Sequence, residues 1–478
     1  MDRISAPAHT RRQPPPLVDE PYAGFIDAPA GPDGATAIIT DPTNRGRRDG
    51  DLAATMPHLF VPGGTGSGKS RRVLAPNIIR WGPRPCIALS SKDDLVKLTI
   101  RKRAQRGPVY LLDLSGTARE SALADVPVTR VRIDPCALIS TDNEALKMAD
   151  LLLTITGGTE GDAKTWSDQA RRPLTAILRA AGYYPDPDTG KRVWGGGVAW
   201  ALDAAEDPGP DVDVDPDDEA PDLSVPDWNV AYLRALLQGS RHARSLLAVK
   251  RKDPRQRDSV GISIANALTA WSDDDVVGAG LVPFRPEMLT EAGATLYIVS
   301  PMVGNAGAAV STLLVAVYDY WRHRVEQVDA GELRTVMFVL DEFTNGSKIP
   351  AKFANSWVGE GRGLGIRLVV ALQDSSQLEA LWGQAEAKVM RKIMPATLIL
   401  PGAEEDEMLE RAVKATPPEE RVTASVDASG KASRSRDRVH AEVANLTPQR
   451  DGEARLLLRG RVGVRVRLPD IAETDLLD

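Results

Sequence analysis

Apolar residues in this chain follow two patterns. Some segments are short and apolar almost throughout: Leu59–Val61, Pro85–Ser90, Val109–Asp113, Ala294–Val299, Thr335–Leu340, Ile366–Leu372 and Thr397–Leu400. Continuous runs of this length, rather than alternating ones, predict strands of a parallel sheet covered on both faces. Other segments repeat apolar residues at helical spacing. Glu144–Ile155 places Leu146, Ala149, Leu152 and Leu153 on one face, and Trp166–Tyr184 does the same with Trp166, Ala170, Leu174, Ile177, Leu178 and Ala181. Val230–Leu237, Val260–Trp271, Gly307–Arg324 and Ala385–Ile393 share that spacing. From Asp142 to Trp271 the helical pattern is nearly continuous, with strands before and after it. The expected fold is therefore α/β: a doubly wound, mostly parallel sheet with an all-α domain inserted between its two halves.

The ends of the chain differ from this body. Residues 1–50 are rich in Pro, Gly, Arg and Asp and predict a mobile arm. Glu419–Ala441 is polar and rich in Arg and Ser, which predicts a flexible excursion. Arg455–Leu458 and Val462–Leu468 predict a hairpin around Arg459-Gly460-Arg461. No internal repeat or heptad pattern is present. At 478 residues the chain exceeds the usual size of one core. The expected regions are the arm at 1–50, the first half of the sheet domain at 51–139, the all-α insertion at 140–270, and the second half with its C-terminal strands at 271–478.

Charge modifies this picture at one place. The net charge is −7, yet the segment 203–222 holds ten acidic residues and no Lys or Arg. The rest of the chain is thus slightly basic. The segment predicts a solvated acidic loop, or alternatively a docking site for a basic partner. Two cysteines, Cys86 and Cys136, provide neither a disulfide framework nor metal-ligand spacing, and a reducing compartment suits them. The longest apolar candidate for a membrane span, Gly307–Tyr318, is too short and predicts a buried helix.

The chemistry concentrates in two places. Gly63-Gly64-Thr65-Gly66-Ser67-Gly68-Lys69-Ser70 is a complete G-x-x-x-x-G-K-S phosphate-binding loop between a predicted strand and a predicted helix. Glycines let successive N–H groups converge on a phosphate, and the helix N-terminus adds positive potential. Lys69 would reach the β- and γ-phosphates of ATP, and the Ser70 hydroxyl would bind Mg²⁺. The second place is Val336–Leu340 followed by Asp341 and Glu342. A buried strand would deliver Asp341 to the sheet edge as a Mg²⁺ ligand, with Glu342 activating water. Gln373, after the next apolar run, would face the γ-phosphate, or be an ordinary strand-end amide. Arg362, in Glu360-Gly361-Arg362-Gly363, would act on a neighbouring subunit's site, or be a surface arginine in a flexible loop.

Taken in order, these residues resemble the type IV secretion coupling proteins, the TraG-like conjugative DNA-transfer ATPases. The resemblance rests on Gly63–Ser70 running into Pro76-Asn77, the turn Ser90-Ser91-Lys92, Gly107–Asp113, Leu340-Asp341-Glu342-Phe343, Gly361-Arg362-Gly363, Gln373–Leu378, and Glu453–Gly460. It spans about residues 58 to 468. Ser90-Ser91 departs from the family's more usual Asp-Pro. The resemblance implies a RecA-like P-loop NTPase domain with the all-α insertion, a homo-hexameric ring, and ATP hydrolysis with Mg²⁺ carried by Lys69, Ser70, Asp341, Glu342, Gln373 and Arg362. It further implies sequence-nonspecific DNA, relaxase or effector proteins and secretion-channel components as partners. Family members usually carry N-terminal transmembrane helices. Without one, this chain is expected in the cytoplasm, reaching the inner face of the cell membrane only through a partner. Candidate phosphate contacts are Arg71, Arg72, Lys250-Arg251-Lys252, Arg434, Arg436 and Arg438. Two rival functions share these residues: a soluble DNA translocase of the FtsK or HerA type, and a nucleotide-gated adaptor that recruits effectors without binding DNA.

Overall fold

The computed structural model describes residues 19–27, 48–123, 126–156, 161–210, 222–325, 327, 335–403, 405–415, 419–426, 432–439, 442–459 and 463–477. Its strands are β1 (Phe25–Ile26), β2 (His58–Pro62), β3 (Cys86–Ser90), β4 (Val109–Asp113), β5 (Thr129–Arg132), β6 (Tyr183–Pro185), β7 (Arg192–Trp194), β8 (Val282–Pro283), β9 (Thr295–Val299), β10 (Val336–Leu340), β11 (Ile366–Leu372), β12 (Ala396–Ile399), β13 (Glu419–Val426), β14 (Ala432–Val439), β15 (Glu453–Leu458) and β16 (Val464–Arg467). Twelve of them form one sheet in the order β1-β16-β15-β12-β2-β11-β10-β3-β9-β4-β5-β8. From β12 to β8 every pairing is parallel, and β15, β16 and β1 extend one side antiparallel.

Every residue of β2, β3, β9, β10 and β11 is buried. Alternate side chains enter two apolar cores, one on each face of the sheet. Phe60, Ile87, Leu296 and Phe338 belong to the first, and Leu59, Ala88, Tyr297 and Met337 to the second. Burial on both faces is why these strands read as unbroken apolar runs. Between β5 and β8 the chain passes through helices Asp142–Thr156, Gly161–Ala181, Gly197–Glu206, Trp228–Leu237, Arg244–Lys250 and Pro254–Leu268, with β6 and β7 as a small hairpin. The helix expected to reach Tyr184 stops at Ala181, and Tyr183 and Tyr184 lie in β6. Most of the acidic segment 203–222 lies outside the described residues.

Two segments near the chain ends make contacts that their composition did not suggest. Within Glu419–Ala441, expected as a flexible excursion, Glu419–Val426 and Ala432–Val439 pair antiparallel as β13 and β14. The expected arm, over Asp19–Asp27, packs along the sheet domain. The Tyr22 N–H donates to Asn77 Oδ1 at 2.7 Å, and Asn77 Nδ2 donates back to the Tyr22 carbonyl at 2.9 Å. Asp19 pairs with Arg84 at 2.7 Å and with Arg367 at 2.9 Å. Composition gave no sign of these contacts, because they depend on partners far along the chain. The remainder of 1–50 lies mostly outside the described residues.

Arg103 anchors the edge of the sheet opposite the strand C-termini. It lies in helix Asp94–Ala104 and is 0% exposed. Its guanidinium donates to Thr295 Oγ1 and to the carbonyls of Gly82 and Arg84, each at 2.7 Å, and to the Gly293 carbonyl at 3.0 Å. These acceptors lie just before or at the start of β3 and β9, so one cation ties the helix end to two strand entries. Arg103→Met keeps the bulk but strands the acceptors. Its expected cost is roughly 3–5 kcal/mol, seen as a lower denaturant midpoint. A midpoint close to wild type would remove Arg103 from this role.

Candidate functional site

The parallel register places four strand ends side by side: β2, β11, β10 and β3. The C-terminal ends of parallel strands are where open α/β sheets bind ligands. From β2 the chain turns directly into Gly63–Ser70. The Gly63 N–H donates to the Leu372 carbonyl of β11 at 3.1 Å, which joins the loop to its neighbouring strand. A Cβ on Gly63 would lie 2.8 Å from Ser67 Oγ, so no larger residue fits there. Gly68 has φ +82°, a left-handed conformation that glycine adopts without strain. The helix then runs through wide π-type turns at Lys69–Leu74 and continues as α-helix Ala75–Arg80. Pro76 has no N–H to offer the turn before it, which accounts for the widening.

Lys69, Asp341 and Glu342 converge at this edge. Lys69 Nζ donates to the Gly63 carbonyl and, at 3.1 Å, to that of Gly64. Burial pulls its ammonium below the ordinary value, while the charges of Asp341 and Glu342 oppose that shift. The Asp341 carboxyl is pushed up to about 6, first by burial and then by the Glu342 charge; Lys69 and a hydrogen bond from Ser90 work against this. Ser90 Oγ, at the end of β3, donates to Asp341 Oδ2 at 3.3 Å. Asp341 Oδ1, Glu342 Oε2 and Ser67 Oγ are buried with no hydrogen-bond partner. Buried polar atoms are nearly always satisfied, so unpaired carboxylate oxygens beside a lysine suit a cation and a polar ligand. Glu342 has φ +48°, alone among the described non-glycine residues in the left-handed region. Backbone strain of this kind collects at functional sites.

The expected site residues divide by location. Gly63–Ser70, Asp341, Glu342 and Gln373 share one edge of the sheet. Gln373 follows β11, the strand between the phosphate loop and the carboxylates, and its N–H is held by Gln377 Oε1 at 3.1 Å. Arg362 is not brought to this edge. It is exposed in the turn before β11. Seven strand residues separate the two ends of β11, a span of roughly 20 Å. Arg71 and Arg72, candidate phosphate contacts, are occupied elsewhere: Arg71 pairs with Asp470 at 2.6 Å and Arg72 Nη1 donates to the Leu468 carbonyl at 2.8 Å. Lys250 Nζ donates to Asn229 Oδ1 at 2.7 Å, and Lys252 Nζ to Gln169 Oε1 at 2.5 Å. These contacts tie segments of this chain together. The side chains of Arg434, Arg436 and Arg438 lie outside the description. Ser90 was visible in sequence only as a departure from Asp-Pro; its bond to Asp341 spans 251 positions.

Comparison with known proteins places this arrangement in context. Residues 35–449 match the family described as type IV secretory system conjugative DNA transfer. No curated protein matches the chain. Among solved structures, the bacterial conjugative coupling protein TrwB, lacking its first 70 residues, is similar in fold. Its TM-score is 0.54 at 18% identity, covering 86% of this chain and 85% of that one. TrwB in complex with ADP and Mg²⁺ gives 0.53 at 19% identity, covering 87% and 86%. VirB4 of Thermoanaerobacter pseudethanolicus gives 0.50 at 12% identity, covering 89% and 96%. All three share a large α/β fold with this chain.

The raised Asp341 carboxyl has a stability consequence. In protein freed of nucleotide and Mg²⁺, ionising Asp341 opposes folding. That cost grows as pH rises from 3.8 through about 6 and is constant above. Asp341→Asn should therefore stabilise the stripped protein at pH 7 by on the order of 2 kcal/mol. The gain should fade between pH 6 and pH 4. Thermal melts across that range check it; a variant less stable than wild type at pH 7 would contradict the cause assigned here.

Proposed function

The chain belongs to the type IV secretory system conjugative DNA transfer family, and we propose that it acts there as a Mg²⁺-dependent ATP hydrolase driving DNA, or protein–DNA substrates, into a secretion or conjugation channel. The observation that carries this is the meeting of Lys69 with the unpaired oxygens of Asp341 and Glu342 at one strand edge. Lys69 would exchange the Gly63 and Gly64 carbonyls for the β- and γ-phosphates of ATP. Ser70 and Asp341 would hold Mg²⁺, which supplies neutralisation of the phosphate charge. Glu342 would accept the proton of the attacking water as the bond between the γ-phosphorus and the bridging oxygen breaks, releasing ADP and phosphate. Gln373 would align that water. TrwB, similar in fold, forms complexes with ADP and Mg²⁺ and with non-hydrolysable ATP and GTP analogues, which supports a nucleotide and Mg²⁺ as the ligands.

Arg362 suggests how copies of the chain cooperate. It is remote from its own chain's site and exposed, a placement that suits an arginine serving the site of an adjacent subunit. A homo-hexameric ring is the assembly we propose. Residues 140–270, expected as all-α but mostly helical with the small hairpin β6–β7, would form the domain that meets the substrate, set between nucleotide-binding halves at 51–139 and 271–478. DNA would be gripped through its phosphates, since a transfer motor must ignore sequence. No helix among the described residues is long and apolar enough to cross a membrane. We propose that relaxase or effector proteins and channel components bring the motor to the inner face of the cell membrane.

Steady-state hydrolysis with and without DNA tests this function. ATP turnover should rise when single- or double-stranded DNA is added, and Lys69→Ala should lower kcat by roughly 100-fold or more while the fold persists. Arg362→Ala should cost about 1,000-fold, and mixing it with Glu342→Gln subunits should restore part of the activity. Turnover indifferent to DNA would remove the motor, and retained turnover in Lys69→Ala would remove this site. Mixed rings that recover nothing would remove the action of Arg362 across subunits.

A further inference from the structure

The chain after β12 touches both the phosphate loop and the segment that follows β11. A Cβ on Gly63 would lie 2.9 Å from Leu400 Cβ, and one on Gly64 would lie 3.0 Å from the Gly402 carbonyl oxygen. Glu405, a little further on, is only 4% exposed. Its carboxylate accepts from the Ser375 N–H through Oε1 and from Ser375 Oγ through Oε2, both at 2.9 Å. Ser375 is also buried and lies two residues beyond Gln373. Arg391 adds to the clamp, donating to Glu379 Oε1 at 2.7 Å and approaching Ser375 Oγ at 3.4 Å. A carboxylate is costly to bury unless its oxygens are held by fixed donors. Here both donors belong to one serine on the segment bearing Gln373.

We infer that Glu405 is a positioning residue: by gripping Ser375 from a segment packed on Gly63 and Gly64, it sets Gln373 against the phosphate loop. Rearrangement of that loop around a nucleotide is then passed to Gln373 through Leu400–Gly402, Glu405 and Ser375. The inference rests on the hydrolase function proposed above. It predicts a specific kinetic pattern. Glu405 touches neither Lys69 nor the carboxylate pair, so its loss should spare nucleotide binding and impair turnover.

The test compares wild type, Glu405→Ala, Glu405→Gln, Ser375→Ala and the Glu405→Ala/Ser375→Ala double variant. Each is assayed for DNA-stimulated ATP hydrolysis and for binding of a fluorescent ADP. Glu405→Ala should lower kcat by about 10- to 100-fold with KM and ADP affinity within about 2-fold of wild type. Glu405→Gln, which retains an acceptor for the Ser375 N–H, should recover to within about 3-fold of wild type. The double variant should be no worse than Glu405→Ala alone, because the two residues act as one unit. Unchanged kcat in both single alanine variants, additive losses, or losses shared equally with ADP affinity would overturn the inference. Should Glu405→Ala fail to fold, Ser375→Ala decides by itself, since it deletes one hydroxyl; wild-type kcat there overturns the inference. A wild-type protein that hydrolyses no ATP overturns the hydrolase function itself, and this inference with it.

Discussion

Backbone hydrogen bonds holding Ile366–Leu372 between His58–Pro62 on one side and Val336–Leu340 on the other fix where the phosphate loop, Gln373 and the paired carboxylates can be. Leu372 is level with Pro62 and Val370 with Leu340, so all three functional segments leave the sheet at one edge. The register is set by burial. A slip by one residue would turn each strand's core side chains to the opposite face, and both faces are filled. Packing of the two cores thus becomes a constraint on chemistry some way from either of them. The same register carries Arg362 to the far edge, in the turn before Ile366–Leu372.

The site held by this frame is electrostatically uneconomical for a resting protein. A buried carboxylate stands next to a half-buried one, and each has a buried oxygen without a hydrogen-bond partner. Glu342 sits in a left-handed backbone conformation. Lys69, the nearest cation, spends its hydrogen bonds on carbonyls of its own loop. A sequence selected only for stability would have removed these features, as local rules tend to fail where function requires it. The surrounding residues meet the ordinary standard: Arg103 and Arg234 are buried cations that donate to carbonyls and, from Arg103, to the Thr295 hydroxyl.

What could be read from the sequence depended on the range of the interaction. Strands buried on both faces announced themselves, and the Gly63–Ser70 loop is a local motif in a local context. Thr129–Arg132 did not, because its exposed and buried positions mix and its apolar content is a single Val131. Gly197–Glu206 and Arg244–Lys250 are short helices whose flanking glycine and polar residues concealed them. The hairpin Glu419–Val426 and Ala432–Val439 has the composition of a loop and pairs through its backbone. Ser90, at the end of a predicted strand, and Glu405 look like ordinary polar residues in the sequence. Their roles arise from partners that only the folded topology brings near.

We propose that the unpaired oxygens at this edge bind a metal–nucleotide complex. Calorimetric titration of the purified protein with a non-hydrolysable ATP analogue, with Mg²⁺ and again with the metal chelated, tests it most directly. One analogue should bind per chain, with affinity that falls by about 10-fold or more when Mg²⁺ is removed. Affinity that is the same with and without Mg²⁺, or no binding at all, would contradict it.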